Sequence, residues 1–289
     1  MPKVKLNEST FFVLPAVIVL LLVVVFPLLY SVYVSLYNYD LLLPSPNFIG
    51  LGNYLEALGD SRFIASLIRT GELVIMCVTV QYLLGLLLAL SLYYHVGRFR
   101  GLIVALLSIP PMIPPVVIGY MGRLIFHPVA SPVNYLLEVV HIPAKPLWHT
   151  SAQTSLLTIF LLDTWQWTPF MMLLLLSGLM AIPQEYLESV RIDGASPWQE
   201  VRHVVLPLLK TVSVVAILFR ALDILRIFDI IYVLTYGGPG TSSEVVSFYI
   251  YLTSFNYWRI GYGAALSWLL TIILSLLAMI YLKYVVKSF

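Results

Sequence analysis

Cysteine, charge and the common catalytic signatures are all scarce in this 289-residue chain. Cys77 is the single cysteine, which excludes an internal disulfide framework and a cysteine-ligated metal cluster. The five histidines, His95, His127, His141, His149 and His203, are scattered without an HExxH spacing. No GxxxxGKS/T segment is present to cradle a phosphate, so any ATP hydrolysis belongs to another polypeptide. No GxSxG is present either, and no catalytic constellation stands out. Lys, Arg, Asp and Glu make up only 10% of the residues, against roughly 25% in soluble domains. The net charge of +2 is too small to argue for nucleic acid. What remains is apolar: 60% of the chain is hydrophobic, arranged in runs long enough to cross a bilayer.

Six runs predict an all-α polytopic membrane protein with spans at about 11–37, 63–94, 102–126, 153–181, 208–236 and 261–286, forming one domain over 1–289. The first is too long for a signal-peptide core and lacks a small-residue cleavage site, so it reads as an uncleaved span, bent at Pro15 and Pro27. Arg69 and Glu72 are spaced to pair near the start of the second. The third contains Pro110, Pro111, Pro114 and Pro115 and cannot be a regular helix. Irregular backbone at membrane depth is tolerated only under protein or beside water, so this span reads as broken next to a pathway, or as a packed kink. Gly237-Gly238-Pro239-Gly240 reads as a turn, and 241–260 as an outer loop whose Phe248, Tyr249, Tyr251, Phe255, Tyr257 and Trp258 suit a membrane interface. Lys3, Lys5, Arg98, Arg100, Arg191, Arg202, Lys210, Lys283 and Lys287 fall on one side, against Arg62, Lys145 and Arg259 on the other. The positive-inside rule then places both termini in the cytoplasm.

One charged island interrupts this pattern, IPQEYLESVRIDGASPWQEVRHVVLP at 182–207. Pro183 suits a first helical position, Gly194 can end that helix in a left-handed conformation, and Ser196, Pro197 and Gln199 form a capping box that starts another, closed by Pro207. Glu188-Ser189-Val190, three residues, Gly194, nine residues, then Val204-x-Leu206-Pro207 resembles the EAA loop of binding-protein-dependent ABC importer permeases. That motif reads EAA, three residues, G, nine residues, I-x-L-P. Ser189 and Val190 replace its alanines, and Val204 its isoleucine. The resemblance implies that Glu188, Ser189, Val190, Asp193, Gly194, Ala195, Leu206 and Pro207 form the coupling loop that docks on an ATPase subunit.

Ionisable groups at membrane depth cost roughly 2.5–3.5 kcal/mol each on insertion scales. In the fourth span, Asp163, Gln166, Trp167 and Phe170 occupy i, i+3, i+4 and i+7 on one helix face. A carboxylate, an amide and aromatic rings suit sugar hydroxyls and C–H faces, although the same residues can serve as packing and an interhelical pair. The fifth span carries the ladder Arg220, Asp223, Arg226, Asp229. Arg220, Asp223, Ile224 and Ile227 share a face, assigned to the pathway, whereas a continuous helix carries Arg226–Asp229 round to other contacts. A wholly structural ladder is the competing reading.

The segments DTWQWTPFMMLLLLSGLMAIPQEYLESVRIDGAS and RALDILRIFDIIYVLTYGGPG resemble the carbohydrate branch of this family, the maltose, trehalose and glycerol-3-phosphate permeases. The resemblance implies a type I permease fold in a prokaryotic inner membrane, and solute contacts at Asp163, Gln166, Trp167, Phe170, Arg220, Asp223, Ile224 and Ile227. It further implies a second permease, an ATPase dimer carrying ATP and Mg, and an extracytoplasmic binding protein, with no cofactor on this chain. A di- or oligosaccharide such as trehalose or maltose is the expected solute. A glycerol phosphate ester or an ion-coupled secondary transporter are the rivals. Asp223 within reach of Arg220 argues against the phosphate ester.

Overall fold

The computed structural model describes residues 8–42, 45–142 and 146–283, with side chains from residue 13 onward. Lys3, Lys5, Lys145 and Lys287, used above for orientation, and Pro44 lie outside the described residues. The order of elements is α1 (Glu8–Leu20), a π turn (Leu21–Val25), α2 (Phe26–Ser35), β1 (Tyr37–Asn38) paired with β2 (Asn47–Phe48), α3 (Gly52–Gly59) and α4 (Ser61–Tyr94). Then come α5 (Arg100–Leu107), α6 (Ile109–Met112), α7 (Pro115–Ile125), α8 (Pro132–Val139), α9 (Ser155–Met180), α10 (Gln184–Ile192) and α11 (Pro197–Glu200). A second π turn (Val201–Val205) leads into α12 (Leu206–Ile224), followed by α13 (Asp229–Leu234), α14 (Val246–Tyr251), a third π turn (Leu252–Asn256) and α15 (Ile260–Tyr281). Among the described residues, five helical stretches are long and apolar enough to cross a membrane: Val13–Ser35, Ser61–Tyr94, Ser155–Met180, Pro197–Leu234 and Ile260–Tyr281.

The sixth expected crossing is the proline-rich one, and it is broken as its sequence requires. α5, α6 and α7 replace a single helix. Ile113 before Pro114 is extended (φ −80°, ψ 128°), the conformation a following proline ring favours, and Pro115 starts α7 afresh.

Other prolines are absorbed rather than obeyed. Pro207 does not close a helix: α11, the π turn and α12 run on through it. A proline ring clashes with the carbonyl four residues back, and the π turn relieves this by widening the preceding turn. The N–H of Leu206 bonds to Val201 O, five residues back, and Phe26 bonds in the same way to Leu21 O just before Pro27. Pro183 is the N-cap of α10 rather than its first helical residue. Gly194 does end α10 at φ +81°, with Gly194 N–H to Arg191 O at 3.1 Å and Ala195 N–H to Val190 O at 3.2 Å. The Ser196–Gln199 capping box is present.

Three further expectations need correction. The fifth span is interrupted between Ile224 and Asp229. Segment 241–260 is largely helical, and Phe248 is fully buried against Phe228, Tyr232 and Tyr236 rather than at an interface. Arg69 donates to Glu244 O at 2.8 Å and Thr241 Oγ1 at 3.3 Å instead of pairing with Glu72.

The described residues fall into two compact units, one within Met1–Ser61 and Ile250–Ile273, the other within Arg62–Tyr249 and Leu274–Phe289. In the first, Asn53 Nδ2 donates to Ser35 O (2.8 Å) and Tyr37 O (2.9 Å), and Tyr262 OH donates to Asp60 Oδ2 (2.7 Å). In the second, a buried core joins Ala89 and Leu92 of α4, Met171, Met172, Leu175 and Leu179 of α9, and Leu209 and Ala216 of α12. Leu187 of α10 is the one residue of that helix to enter it.

α13 packs on α7 through small residues. A Cβ on Gly119 would lie 2.9 Å from Val233 Cβ, so α13 can come this close only over glycine. We expect Gly119→Val to cost about 1–3 kcal/mol through overpacking. It should lower the melting midpoint of the purified protein in detergent. A midpoint unchanged from wild type would show that the α7–α13 contact is not tight.

Candidate functional site

The second unit carries a buried polar cluster drawn from three spans. α4 contributes Gln81, α9 contributes Asp163 and Trp167, and α12 contributes Arg220 and Asp223. Arg220 is 1% exposed and Asp163 2% exposed, so each charge needs a partner inside the protein. The guanidinium Nη2 donates to Asp163 Oδ2, Nη1 donates to Asp223 Oδ2, and Nε donates to Gln81 Oε1 at 2.8 Å. Gln81 Nε2 donates in turn to Asp163 Oδ2 at 2.8 Å. The Trp167 ring covers the guanidinium with its centroid 4.9 Å from Cζ. Such a cation–π contact contributes about 2 kcal/mol where water is excluded.

Beside this cluster lies a cavity of about 210 Å³, lined by Pro115, Asp163, Trp167, Arg220, Asp223, Ile224, Arg226, Ile227, Phe228, Asp229 and Ile230. Six of the eight solute-contact positions expected from sequence therefore meet at one place. Phe170 lies next door, lining a depression of about 150 Å³ with Trp167, Phe219 and Arg226. Gln166 is elsewhere: it is buried and its Nε2 donates to Ile113 O at 2.8 Å, so it ties α9 to the broken third crossing. Arg226 and Asp229 are a correction. The break between α12 and α13 turns both toward the cavity that a continuous helix would have carried them away from.

Sequence reasoning missed Gln81. Its signal was an amide in the middle of an otherwise apolar run, which needs a partner at that depth.

In the loop at 182–207, Glu188 and Ser189 are exposed on α10. Val190, Asp193, Gly194 and Ala195 line a depression of about 310 Å³ together with Gln199 and His203. Leu206 and Pro207 do not reach it; they sit where the π turn passes into α12. The two short helices are locked by Arg191, which donates to Glu200 at 2.7 and 2.9 Å, while Tyr94 OH donates to the same carboxylate at 2.8 Å. Ile192 and Trp198 expose large apolar surfaces here, a feature the sequence reading passed over.

The family model described as the binding-protein-dependent transport system inner membrane component matches residues 81–289. The chain belongs to this family. It is a multi-pass permease subunit, not itself an enzyme. Among curated relatives, the trehalose/maltose transport system permease protein MalF of Thermococcus litoralis is 34% identical, with 97% of this chain and 95% of the relative covered. The trehalose transport system permease protein SugA of Mycobacterium tuberculosis is 37% identical over 94% of this chain and 86% of its own length. A solved bacterial ABC transporter involved in import of the acidic polysaccharide alginate matches with a TM-score of 0.82, 19% identity, and 96% and 94% coverage. At that identity the match speaks for the fold of the permease.

The buried cluster should hold its three spans together. Gln81→Leu removes both a donor to Asp163 and the acceptor of Arg220 Nε, a loss of about 2–3 kcal/mol for hydrogen bonds to charged groups. We expect a lower melting midpoint for this variant than for wild type in the same detergent. Superimposable melting curves would show that Gln81 is not part of the clasp.

Proposed function

We propose that this permease subunit forms half of the path of an ATP-driven importer for a di- or oligosaccharide such as trehalose or maltose. The observation that carries the reading is the cavity, in which an aromatic ring face, the half-buried Ile227 and charged hydrogen-bonding groups lie side by side. Pyranose rings combine apolar C–H faces with hydroxyls that both donate and accept, and this mixture complements them. The curated names of the two relatives point the same way. Trp167, Asp223 and Ile227 act as the solute face, with Asp163, Arg220 and Ile224 buried behind them, supported by Phe170 and, through the Ile113 carbonyl, by Gln166.

A cavity of about 210 Å³ falls short of the roughly 300–1,000 Å³ usual for drug-sized ligands. It holds one ring and leaves the rest of the solute to a second permease across the path. An extracytoplasmic binding protein delivers the solute, and a dimer of ATPase subunits, which carry the ATP and Mg, drives the cycle. Both termini and the loop at 182–207 face the cytoplasm in this reading, because Arg98, Arg100, Arg191, Arg202 and Lys210 gather on one side against Arg62 and Arg259 on the other.

Glu188, Ser189, Val190, Asp193, Gly194 and Ala195 form the surface that docks on the ATPase, with Leu206 and Pro207 at its exit into α12. Leu187 makes the transmission direct. It is inserted into the core shared by α4, α9 and α12, so a displacement of α10 moves the spans that bear the cavity. Packed interfaces of this kind switch between discrete arrangements rather than deforming smoothly.

Glu188→Lys tests the reading. The variant should reach the membrane in normal amounts, yet ATP-dependent uptake of a labelled disaccharide should fall at least tenfold and ATPase co-purification should weaken. Normal uptake would sink the docking role. Absence of disaccharide uptake by the wild-type importer with its own binding protein would sink the substrate.

A further inference from the structure

The charges around the cavity are arranged so that the guanidinium of the buried cluster is 1% exposed and already faces two carboxylates. Arg220 spends Nε on Gln81, Nη1 on Asp223 and Nη2 on Asp163, and its face is under Trp167. A bidentate grip on a carboxylate or phosphate needs two adjacent N–H groups on one edge of the fork. Here each nitrogen of the fork donates once to the protein, and the N–H left on each terminal nitrogen belongs to a buried group already neutralised by two carboxylates.

What the cavity presents is on balance acidic, with Arg226 as an exposed guanidinium beside Asp223 and Asp229. Asp163, Asp223 and Asp229 line it with Arg220 and Arg226, three carboxylates against two guanidiniums. Asp223 is 46% exposed, and Asp229 and Arg226 are exposed at the helix break. In a low-dielectric site a surplus carboxylate acts on a charged ligand more strongly than it would in water. Neutral hydroxyls suffer no such repulsion and can donate to Asp223 and Asp229.

We infer that Asp163 and Asp223 are specificity-determining residues: by occupying Arg220 they make the cavity admit neutral saccharides and reject uronates and sugar phosphates. The inference rests on the sugar reading above and adds to it the charge class of the solute and the residues that set it. Asp163 acts through Arg220 at the buried end, and Asp223 acts both through Arg220 and on the solute. Replacing either carboxylate by its amide keeps the shape and one acceptor, leaves Arg220 paired with a single carboxylate, and turns the cavity from acidic to balanced.

The test is equilibrium dialysis of the complete importer complex in lipid nanodiscs, without the binding protein, whose own selectivity would otherwise mask that of the cavity. The probes are radiolabelled trehalose and the disaccharide in which one C6 hydroxymethyl is oxidised to a carboxylate. The quantity read is the ratio of the two affinities, so a general loss of binding cancels. We expect wild type to favour the neutral sugar at least tenfold. Asp223→Asn and Asp163→Asn should each shift the ratio about tenfold toward the uronate, the order of one unit charge in a partly solvated site. Asp223→Asn is the decisive variant, because its half-exposed side chain makes it less exposed to misfolding than Asp163→Asn. A ratio at the wild-type value in the Asp223→Asn complex, with trehalose still bound, overturns the inference while leaving the sugar reading standing. Failure of wild type to bind either trehalose or, in the same dialysis, radiolabelled maltose overturns the sugar reading itself, and the inference with it.

Discussion

A buried arginine sets the terms for the second unit of this protein. Arg220 lies at membrane depth, almost without solvent, and an uncompensated charge there is far too costly to keep. Compensation comes from two other spans: Asp163 on α9 supplies the opposite charge, and Gln81 on α4 bonds to both ions at once. The clasp therefore fixes which faces of α4, α9 and α12 meet. Apolar packing alone would leave this loosely specified, because lipid tails solvate leucine as well as a neighbouring helix does. A polar cluster with one satisfactory geometry supplies the missing register.

Around that clasp, broken helices create the space. Four prolines split the third crossing into α5, α6 and α7, and α12 stops at Ile224 before α13 begins at Asp229. Both breaks border the same cavity, through Pro115 on one side and Arg226, Ile227 and Phe228 on the other. Backbone freed from helical bonding at this depth needs partners, and Gln166 provides one by donating to Ile113 O. Where the fold needs an unbroken helix instead, as at Pro27 and Pro207, a π turn accommodates the ring. The same residue type thus ends helices in one place and is carried through them in another.

The loop at 182–207 is tied together internally and joined to the core through Ile182, Leu187 and Val205 and to α4 through Tyr94. A glycine at positive φ ends α10, a capping box starts α11, and Arg191–Glu200 closes the angle between them. Only Leu187 of α10 reaches the core. In the proposed coupling, a push on the outer surface of this loop passes through Leu187 into the core shared by α4, α9 and α12, of which α9 and α12 are proposed to carry the solute face.

Much of this architecture was readable from residues alone, for local reasons. Span positions follow from run length, the broken third crossing from its prolines, and the loop's stop and restart from Gly194 and Ser196–Gln199, because each depends on backbone chemistry within a few residues. Asp163, Trp167, Arg220 and Asp223 could be singled out because charge and aromaticity at membrane depth demand a partner. Only the tertiary structure decided who those partners are. Gln81 is 82 residues from Asp163 and 139 from Arg220, a separation over which spacing carries no information. The placing of Arg226 and Asp229 at the cavity was beyond a periodicity argument, since helical phase is lost once the helix breaks at 225–228. Phe248 looked like an interface residue by its type, and became core because α14 folds back on the aromatic face of α13. Local chemistry determined where this chain bends and crosses; the pairing of distant charges decided which faces meet, because only in three dimensions does a buried ion find its counter-ion.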